Sequence, residues 1–337
     1  MLRILHDTNY DFIKYWKTAA VGTIGFILLG LVLLGVHASR HNGDALNYSV
    51  EFTGGAVVQV TFDQNATPDI VRSAVNTAGF SGAEVTTFGD ARNYMVKVQP
   101  KSGEAAAVNA DSVGKQIVSV LKQQAPANPA HVARAEAVGP RVGSELKTKA
   151  ITAIIISFIV TLIYLAIRFE WRFGVAATIA TMHDILTTMA FLAMMRLEIS
   201  LTVVAAILTV IGYSLNDTII IFDRVRENLK KQRKESLREV LNRSINETLP
   251  RSVMTHATVF AATLSLLFFA GEVIRPFSWI MAFGVFTGTF SSIYVAGAIL
   301  LWIEHKWPRD ASAENKGTAR ALAEGRRQER PTPVGTR

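Results

Sequence analysis

Long apolar runs divide the chain into six segments, each long enough to cross a membrane as a helix. A bilayer core about 30 Å thick takes about 20 helical residues. The first run is longer than the apolar core of a signal peptide, and no small-residue cleavage site follows it, so we interpret it as an uncleaved anchor. The predicted spans are Thr18–Val36, Ala150–Ile167, Phe173–Met195, Ile199–Phe222, Ser252–Ala270 and Phe277–Trp302.

Between the first two spans, residues 37–148 show the shorter polar and apolar alternation of a soluble domain. The strand and helix signals follow the order ββαββαβ, which is typical of an antiparallel sheet covered by helices on one face. We therefore expect an α-helical membrane protein with six transmembrane helices and one periplasmic ferredoxin-like α+β domain between the first two. The predicted strands are Asn47–Phe52, Ala56–Phe62, Ala83–Phe88, Tyr94–Val98 and Ala133–Val138, and the predicted helices are Pro68–Ala78 and Ala105–Gln124.

The basic residues set the predicted orientation of the chain. Of the 35 Lys and Arg residues, 22 lie in four segments that share one side of the membrane when the spans alternate in direction. The positive-inside rule places that side, with both termini, in the cytoplasm, and it places residues 37–148 outside. The four segments are 1–17, 168–172, 223–251 and 304–337.

Two of these segments have patterns of their own. Residues 223–251 combine an apolar face with a basic one, which predicts an amphipathic loop along the membrane surface within the five-helix bundle of residues 150–303. Residues 304–337 are polar and basic, which predicts a disordered tail. Because the basic residues flank the spans, the net charge of +8 needs no nucleic-acid partner to explain it.

Composition limits the chemistry that the chain can carry. Charged residues make up 18% of the chain, below the roughly 25% of an ordinary soluble domain. The absence of cysteine excludes disulfides and thiolate metal sites. The carboxylates of the 37–148 domain are scattered, without a nucleophile–base pair or a metal cluster, so we expect neither an enzyme nor a metal cofactor.

A carboxylate, Asp217, interrupts the fourth predicted span. A charged side chain near the centre of a membrane helix costs roughly 2.5–3.5 kcal/mol, so Asp217 needs a partner, a proton or water. Ser214 and Asn216 supply further polar groups beside it. Each of these possibilities indicates ion movement. The alternative is that Asp217, which lies one or two turns from the end of its span, reaches interfacial water and has no function.

The fifth span begins at Arg251, with Thr255 on the same helix face. Consecutive spans are antiparallel, so Arg251 enters the membrane from the same side as Asp217 and to a similar depth. An Asp–Arg pair in a low dielectric is strongly coupled, and its separation would favour proton uptake by Asp217. The alternative is that Arg251 is a basic anchor at the membrane surface.

The third span contains a second polar pair, His183 and Asp184, with threonines on the face of Asp184. Carboxylates inside membranes usually face the interior of a helix bundle or a water-filled cavity. One interpretation of the pair is a hydrogen-bonded clamp between helices, and the other is direct proton handling. The last span repeats small residues every four positions, at Gly284, Gly288, Ser292 and Ala296, which predicts close helix packing.

Several short motifs lie in order on these elements. Glu51, Phe52, Gly54 and Gly55 form an acidic-Phe-x-Gly-Gly signature at the start of the soluble domain. With the further motifs Val138–Pro140, Phe169–Gly174, Gly212–Arg224 and Leu249–Ser252, the chain resembles the SecD/SecF family of protein-export membrane proteins over residues 1–308. The resemblance is to the SecF branch, which is related to the resistance-nodulation-division transporters. The family often has Asp where this chain has Glu51.

The resemblance implies an accessory subunit of the Sec translocase. With SecD, such a subunit uses the proton motive force to promote protein export across the bacterial inner membrane. The family's proton-coupling residues correspond to Asp217 and Arg251, with H⁺ as the coupling ion and Na⁺ possible. The implied partners are SecD, the SecYEG channel, small membrane subunits such as YajC, and exported unfolded polypeptides.

Two other functions stay open at this point. One is a stand-alone half-transporter of the resistance-nodulation-division type that exports a hydrophobic small molecule. The other is a structural scaffold of the translocase without ion coupling. Related transporters usually carry two six-span halves in one chain, whereas this chain has one, and proton flux would distinguish a coupled subunit from a scaffold.

Overall fold

The structure, a computed structural model, describes residues 8–40, 45–99, 109–231 and 235–308. A 3₁₀ turn, Phe12–Tyr15, precedes the first helix, and a π-helical segment, Ser291–Ala296, joins the last two helices into one long rod. In chain order the elements are α1 (Trp16–Arg40), α2 (Val50–Thr53), β1 (Gly55–Phe62), α3 (Pro68–Thr77), β2 (Glu84–Thr87), β3 (Asn93–Val98), α4 (Ala110–Gln124), β4 (Ala130–Val138), α5 (Pro140–Arg168), α6 (Trp171–Met195), α7 (Leu201–Lys231), α8 (Leu237–Phe269), α9 (Arg275–Phe290) and α10 (Gly297–Lys306).

Six helical rods in the described residues are long and apolar enough to cross a membrane, which confirms the six predicted spans. They are α1, α5, α6, α7, α8 and the rod formed by α9, the π-helical segment and α10. In α6, α7 and the last rod at least half of the most apolar stretch is buried, whereas the buried share is 22% in α8, 11% in α5 and 6% in α1. A helix that is apolar on all sides suits a membrane span, so α1 and α5 lie at the periphery, α6, α7 and the last rod form the centre, and α8 lies between the two groups.

The domain between α1 and α5 is a four-stranded sheet with the strand order β2-β3-β1-β4, in which every neighbouring pair is antiparallel. The side chains of β1 alternate between buried and partly exposed, so one face of the sheet is the core face. Helices α3 and α4 cover that face, with Val71, Ile117 and Leu121 packed in one core with Val58 and Val60. This arrangement confirms the predicted ferredoxin-like fold.

One predicted strand, Asn47–Phe52, is wrong. Residues Val50–Thr53 form the short helix α2, and the preceding chain makes only an isolated bridge, from Tyr48 to Ile199. The Ser49 hydroxyl accepts a hydrogen bond from the backbone N–H of Glu51, an N-cap that favours a helical turn over a strand. The first part of the predicted helix Ala105–Gln124 lies outside the described residues, and α4 starts at Ala110.

The segment 223–251 also differs from its prediction as a surface loop. Helix α7 continues to Lys231, and α8 begins at Leu237 and runs through Pro250 into the fifth span. The apolar face is buried in the bundle core, with Val240, Leu241 and Ile245 at most 1% exposed. The segment has an amphipathic pattern because its apolar face packs against the rest of the protein. The start of the predicted disordered tail 304–337 is instead helical, since α10 continues to Lys306, and the tail lies outside the described residues from position 309 onward.

Candidate functional site

Asp217 lies inside the bundle on α7 and is only 3% exposed. The hydroxyl of Ser252 on α8 donates a hydrogen bond of 2.5 Å to Oδ1 of Asp217. The other carboxylate oxygen, Oδ2, is buried and has no hydrogen-bond partner in the described part of the chain. A buried charged oxygen without a partner is costly, so this carboxyl group is suited to hold a proton or to receive a donor from outside the chain.

His256 lies one helical turn beyond Ser252 and is 7% exposed. Its Nδ1 lies 2.6 Å from the carbonyl oxygen of Ser252, so the ring donates there when Nδ1 carries the proton. Its Nε2 is buried and makes no hydrogen bond to any described residue. The ring stands edge-on to Tyr213 with the two centroids 5.1 Å apart, and Ser252 links His256 to Asp217.

His256 is thus a functional candidate that the sequence interpretation missed. The signal was available, because a histidine four residues after Ser252 shares its face of the helix. An imidazole is the side chain whose charge changes most readily near neutral pH. Asp217, Ser252 and His256 together form what we call the Asp217 site, a titratable pair connected by one serine.

Arg251 does not pair with Asp217 in this structure. Its side chain is exposed, and it makes no ion pair with a carboxylate of the described residues. Thr255 and Asn216 are exposed as well, and the Thr255 hydroxyl bonds to the backbone oxygens of Arg251 and Ser252. Successive helical residues are about 100° apart, so Ser252 faces inward where its neighbour Arg251 faces outward.

Asp184 on α6 is 1% exposed, and both of its oxygens are satisfied. Oδ2 accepts hydrogen bonds from the hydroxyls of Ser214 and, at 2.8 Å, of Ser291. Oδ1 lies 2.9 Å from Nδ1 of His183, whose Nε2 contacts the hydroxyl of Thr23 on α1. These contacts connect α1, α6, α7 and the π-helical segment, which is the arrangement expected of a clamp between helices.

The two polar groups are linked through α7, because Ser214 lies one turn before Asp217. The rod that faces this turn approaches closely: a Cβ added at Gly284 would lie 2.3 Å from a methyl group of Val210, and one added at Gly288 would lie 3.0 Å from Cβ of Ser214. Small residues are what allows this approach. The π-helical segment follows directly, and such segments often occur at functional sites.

The acidic-Phe-x-Gly-Gly motif lies at the junction between the α+β domain and the bundle. Gly54 and Gly55 have φ angles of +78° and +140°, which disfavour any residue with a Cβ. A Cβ on Gly54 would also lie 2.9 Å from Cα of Pro140, at the start of α5. Phe52 is buried against the bundle core, and the Glu51 carboxylate accepts a hydrogen bond from the N–H of Leu201.

No group of three or more His, Cys, Asp or Glu side chains able to hold a metal ion occurs among the described residues. What the Asp217 site offers chemically is a buried carboxyl group with one free oxygen beside a buried imidazole. Such a pair can take up, hold and release a proton.

Two family models match the sequence. The model of the C-terminal part of the protein export membrane proteins SecD/SecF matches residues 116–306, and the SecD/SecF GG motif matches residues 45–66. The first covers all the residues of the Asp217 site, and the second covers the junction motif.

Individual proteins are similar over nearly the whole chain. A protein translocase subunit SecF from Gemmatimonas aurantiaca is 54% identical, over 96% of this chain and 95% of its own. The SecF subunit from Escherichia coli O157:H7 is 38% identical, over 87% of each chain. A crystal structure of SecDF from Thermus thermophilus, a translocon-associated membrane protein, superposes with a TM-score of 0.72 at 33% identity. That match covers 90% of this chain and 40% of the SecDF chain.

Proposed function

Because the chain belongs to the SecF branch of the SecD/SecF family and is therefore a multi-pass inner-membrane subunit of the Sec translocase, we propose that Asp217 couples proton movement to protein export. The single observation that carries the proposal is the environment of this carboxyl group. It is 3% exposed inside a membrane helix, with one hydrogen-bonded oxygen and one without a partner in the described residues. A fixed structural carboxylate would have both oxygens satisfied, as Asp184 has.

The available energy is large enough for such coupling. One proton that crosses a potential of about 100 mV releases about 2.3 kcal/mol. A differential binding energy of that size changes the ratio of two conformations by roughly 50-fold. Protonation of Asp217 changes the charge on one side of the contact with Ser252, so α7 and α8 are the helices whose relative position responds.

SecD is the proposed partner, and the exposed polar face of the bundle supports it. Polar side chains inside a membrane normally face protein or water rather than lipid. This chain nevertheless leaves a polar stripe exposed along α8, with Asn216 beside it on α7. The stripe consists of Arg251, Thr255, Thr258 and Ser265. The SecDF chain continues well beyond the part that this chain matches. We propose that helices of SecD cover the stripe.

If helices of SecD cover the polar stripe, Arg251 also gains a role. Arg251 directly precedes Ser252, the residue that holds Asp217, and its exposed side chain faces the surface where a partner carboxylate would approach. Arg251 would then regulate the proton at Asp217 across the subunit interface. SecYEG, YajC-like subunits and exported polypeptides remain proposed partners of the assembled complex.

The proposed topology places both termini in the cytoplasm and the α+β domain in the periplasm. The basic clusters of α7 and α8 support this orientation, since these helices carry them beyond the spans on the side opposite the domain. The proposed coupling ion is H⁺, because one oxygen and one imidazole suffice to hold a proton. Na⁺ coupling would require further oxygen ligands from the partner.

Replacement of Asp217 by Asn in the complex with SecD tests the proposal. The amide keeps the size of the side chain and can still accept from Ser252, but it cannot ionise. We expect proton-driven export in membrane vesicles to be lost, while SecD still co-purifies with the variant. Asp223→Asn is the matched control, because this carboxylate lies six residues further along α7 in a partly exposed ion pair with Arg168. Export by Asp217→Asn at the level of the control would refute proton coupling through Asp217 and favour a scaffold.

A further inference from the structure

Helix α7, which carries Asp217, is held at its opposite end by the α+β domain. The carboxylate oxygen Oε2 of Glu51 accepts a 2.7 Å hydrogen bond from the backbone N–H of Leu201, the first residue of α7. The first N–H groups of a helix have no partner within the helix, and the positive end of its dipole favours a carboxylate there. Glu51 belongs to the α+β domain, so this is a helix cap supplied from a different domain.

Backbone hydrogen bonds clamp the same junction. The N–H of Ser49 donates to the carbonyl oxygen of Ile199 at 2.9 Å, and the N–H of Ile199 donates to the carbonyl oxygen of Asn47 at 2.7 Å. The short loop between α6 and α7 is thereby paired like a strand with the entry to the domain. Bonds of this kind resist sliding of α7 along its axis relative to the domain.

A third contact crosses the junction from the sheet itself. Lys97 on β3 forms an ion pair with Glu198, which is 8% exposed and lies in the α6–α7 loop. Glu84 on β2 lies 3.8 Å from the same ammonium group. The carboxylate of Glu198 is thus buried against a sheet that belongs to the other domain.

The glycines of the motif make the junction stiff. A Cβ on Gly55 would lie 2.3 Å from the carbonyl oxygen of Val98, and one on Gly143 would lie 2.9 Å from the N–H nitrogen of Gly54. The turn after α2 is therefore packed directly on β3 and on the first turns of α5. The sheet, the start of α5 and the start of α7 therefore all contact the short segment that enters the domain.

We propose that Glu51 is a positioning residue of the export reaction: its carboxylate ties the α+β domain to α7, so that movement of α7 at Asp217 moves the domain. Asp217 lies 16 residues from Leu201, which is about 24 Å along a helix that rises 1.5 Å per residue. A helix transmits an axial shift over that length because its backbone hydrogen bonds keep it rigid. This proposal rests on the proposed proton coupling at Asp217 and adds the path by which it reaches the domain.

The lack of cysteine allows a direct test of this path. Two cysteines are introduced for nitroxide labels at exposed positions, Ala133 on β4 and Val273 in the loop between α8 and α9. In the full-length chain in complex with SecD, the label-to-label distance distribution is measured with Asp217 and with Asp217→Asn. We expect Asp217→Asn to shift the distribution when Glu51 is present and to leave it unchanged when Glu51 is replaced by Ala.

Two results would overturn the proposal. One is a shift of equal size with Glu51→Ala, and the other is no shift in the chain that retains Glu51. Failure of proton coupling itself would be visible separately, as normal export by Asp217→Asn. Asp69→Asn is the control, because Asp69 also lies in the first turn of a helix of the same domain, but its side chain is 88% exposed and pairs with Arg72 on that same helix.

A second readout separates positioning from simple loss of structure. Glu51→Ala should reduce proton-driven export about five-fold or more, the lower end of typical coupling between sites, while proton flux through the complex stays within about two-fold. Glu51→Gln keeps an oxygen that can accept from Leu201 and should retain most of the export. Equal loss of flux and export in Glu51→Ala, or a Gln variant as defective as the Ala variant, would contradict the role.

Discussion

Ser252 joins Asp217 to His256: its hydroxyl donates to Oδ1 of Asp217 at 2.5 Å, and its carbonyl oxygen lies 2.6 Å from Nδ1 of His256. One serine thus contacts both titratable groups of the site, and each group keeps one buried atom without a partner in the described residues. The buried carboxyl group and the buried imidazole are thus bridged by a single residue. The relationship changes the expected in-chain partner of Asp217 from Arg251 to Ser252 and His256.

Replacement of His256 by Gln should lower proton flux through the complex. Gln keeps a polar side chain at this position but has no imidazole that can accept and release a proton. His256 stands edge-on to Tyr213 of α7, and its Nε2 is buried without a hydrogen-bond partner among the described residues. We therefore expect a lower rate of flux across a fixed pH gradient, measured with a pH-sensitive dye in vesicles that contain the complex with SecD.

The control for this experiment is His305→Gln, since His305 is exposed near the end of α10. Its flux should match that of the unaltered protein. If His256→Gln also leaves the flux unaltered, His256 is a passive packing residue with no part in proton movement.

Arg251→Gln should abolish proton flux through the complex without weakening the fold of this chain. The side chain is exposed, so its loss should change the free energy of unfolding by no more than about 0.5 kcal/mol. Flux is followed with a pH-sensitive dye in vesicles, and stability by thermal unfolding of the isolated chain. Arg141→Gln, in an exposed pair with Glu145 on α5, should affect neither. Normal flux in Arg251→Gln would contradict a role in proton coupling and would favour the alternative that Arg251 is a basic anchor at the membrane surface.

Gly284→Ala should destabilise the bundle, because the added Cβ would lie 2.3 Å from a methyl group of Val210. Overpacking of a tight core typically costs about 1–3 kcal/mol. The measurement is the thermal unfolding midpoint of the purified protein in detergent. Gly25→Ala on α1 is the matched control, since nothing lies within 4 Å of its added Cβ. Equal midpoints for the two variants would show that α7 and α9 can separate without cost.

The junction should close more firmly as the pH falls. Burial raises the pKa of the Glu198 carboxyl above its ordinary value, because the loss of hydration outweighs the attraction of Lys97. The closed junction therefore binds this proton more tightly than an exposed glutamate does. The resulting stabilisation is complete below the ordinary glutamate pKa of about 4.3 and is lost as the pH rises through the raised pKa.

Hydrogen exchange measures this closure at the N–H groups of Ser49 and Ile199, which bond across the junction. Their protection factors, corrected for the intrinsic effect of pH on exchange, should rise as the pH is lowered from about 7 to about 4. In Glu198→Gln the protection should be high throughout and independent of pH. Protection that falls on acidification would show that the ion pair with Lys97, rather than burial, dominates.

The spans and the sheet could be predicted because their signals are local. Apolar runs and strict alternation depend on neighbouring residues alone, and both predictions are confirmed. The strand predicted over Asn47–Phe52 was wrong because its apolar residues are buried by a distant partner. Phe52 packs against the bundle, and Ser49 pairs with Ile199, a contact between residues 150 positions apart in the chain.

The candidate site was predicted in part. A carboxylate in an apolar run identifies Asp217 without any structure, whereas its partner depends on how α8 is rotated against α7. One residue along a helix is a rotation of about 100°, which is the difference between the exposed Arg251 and the buried Ser252. The hydropathy pattern of a membrane helix does not fix that rotation, because lipid and protein interior are equally apolar.

Proton flux through the reconstituted complex with SecD, with and without Asp217→Asn, tests the central claim most directly. Vesicles are loaded with a pH-sensitive dye, and a pH gradient is imposed across the membrane. We predict that the complex conducts protons, that Asp217→Asn reduces the flux to that of empty vesicles, and that Asp223→Asn conducts normally. Undiminished flux in the Asp217→Asn complex would contradict the claim that this carboxyl group carries the proton.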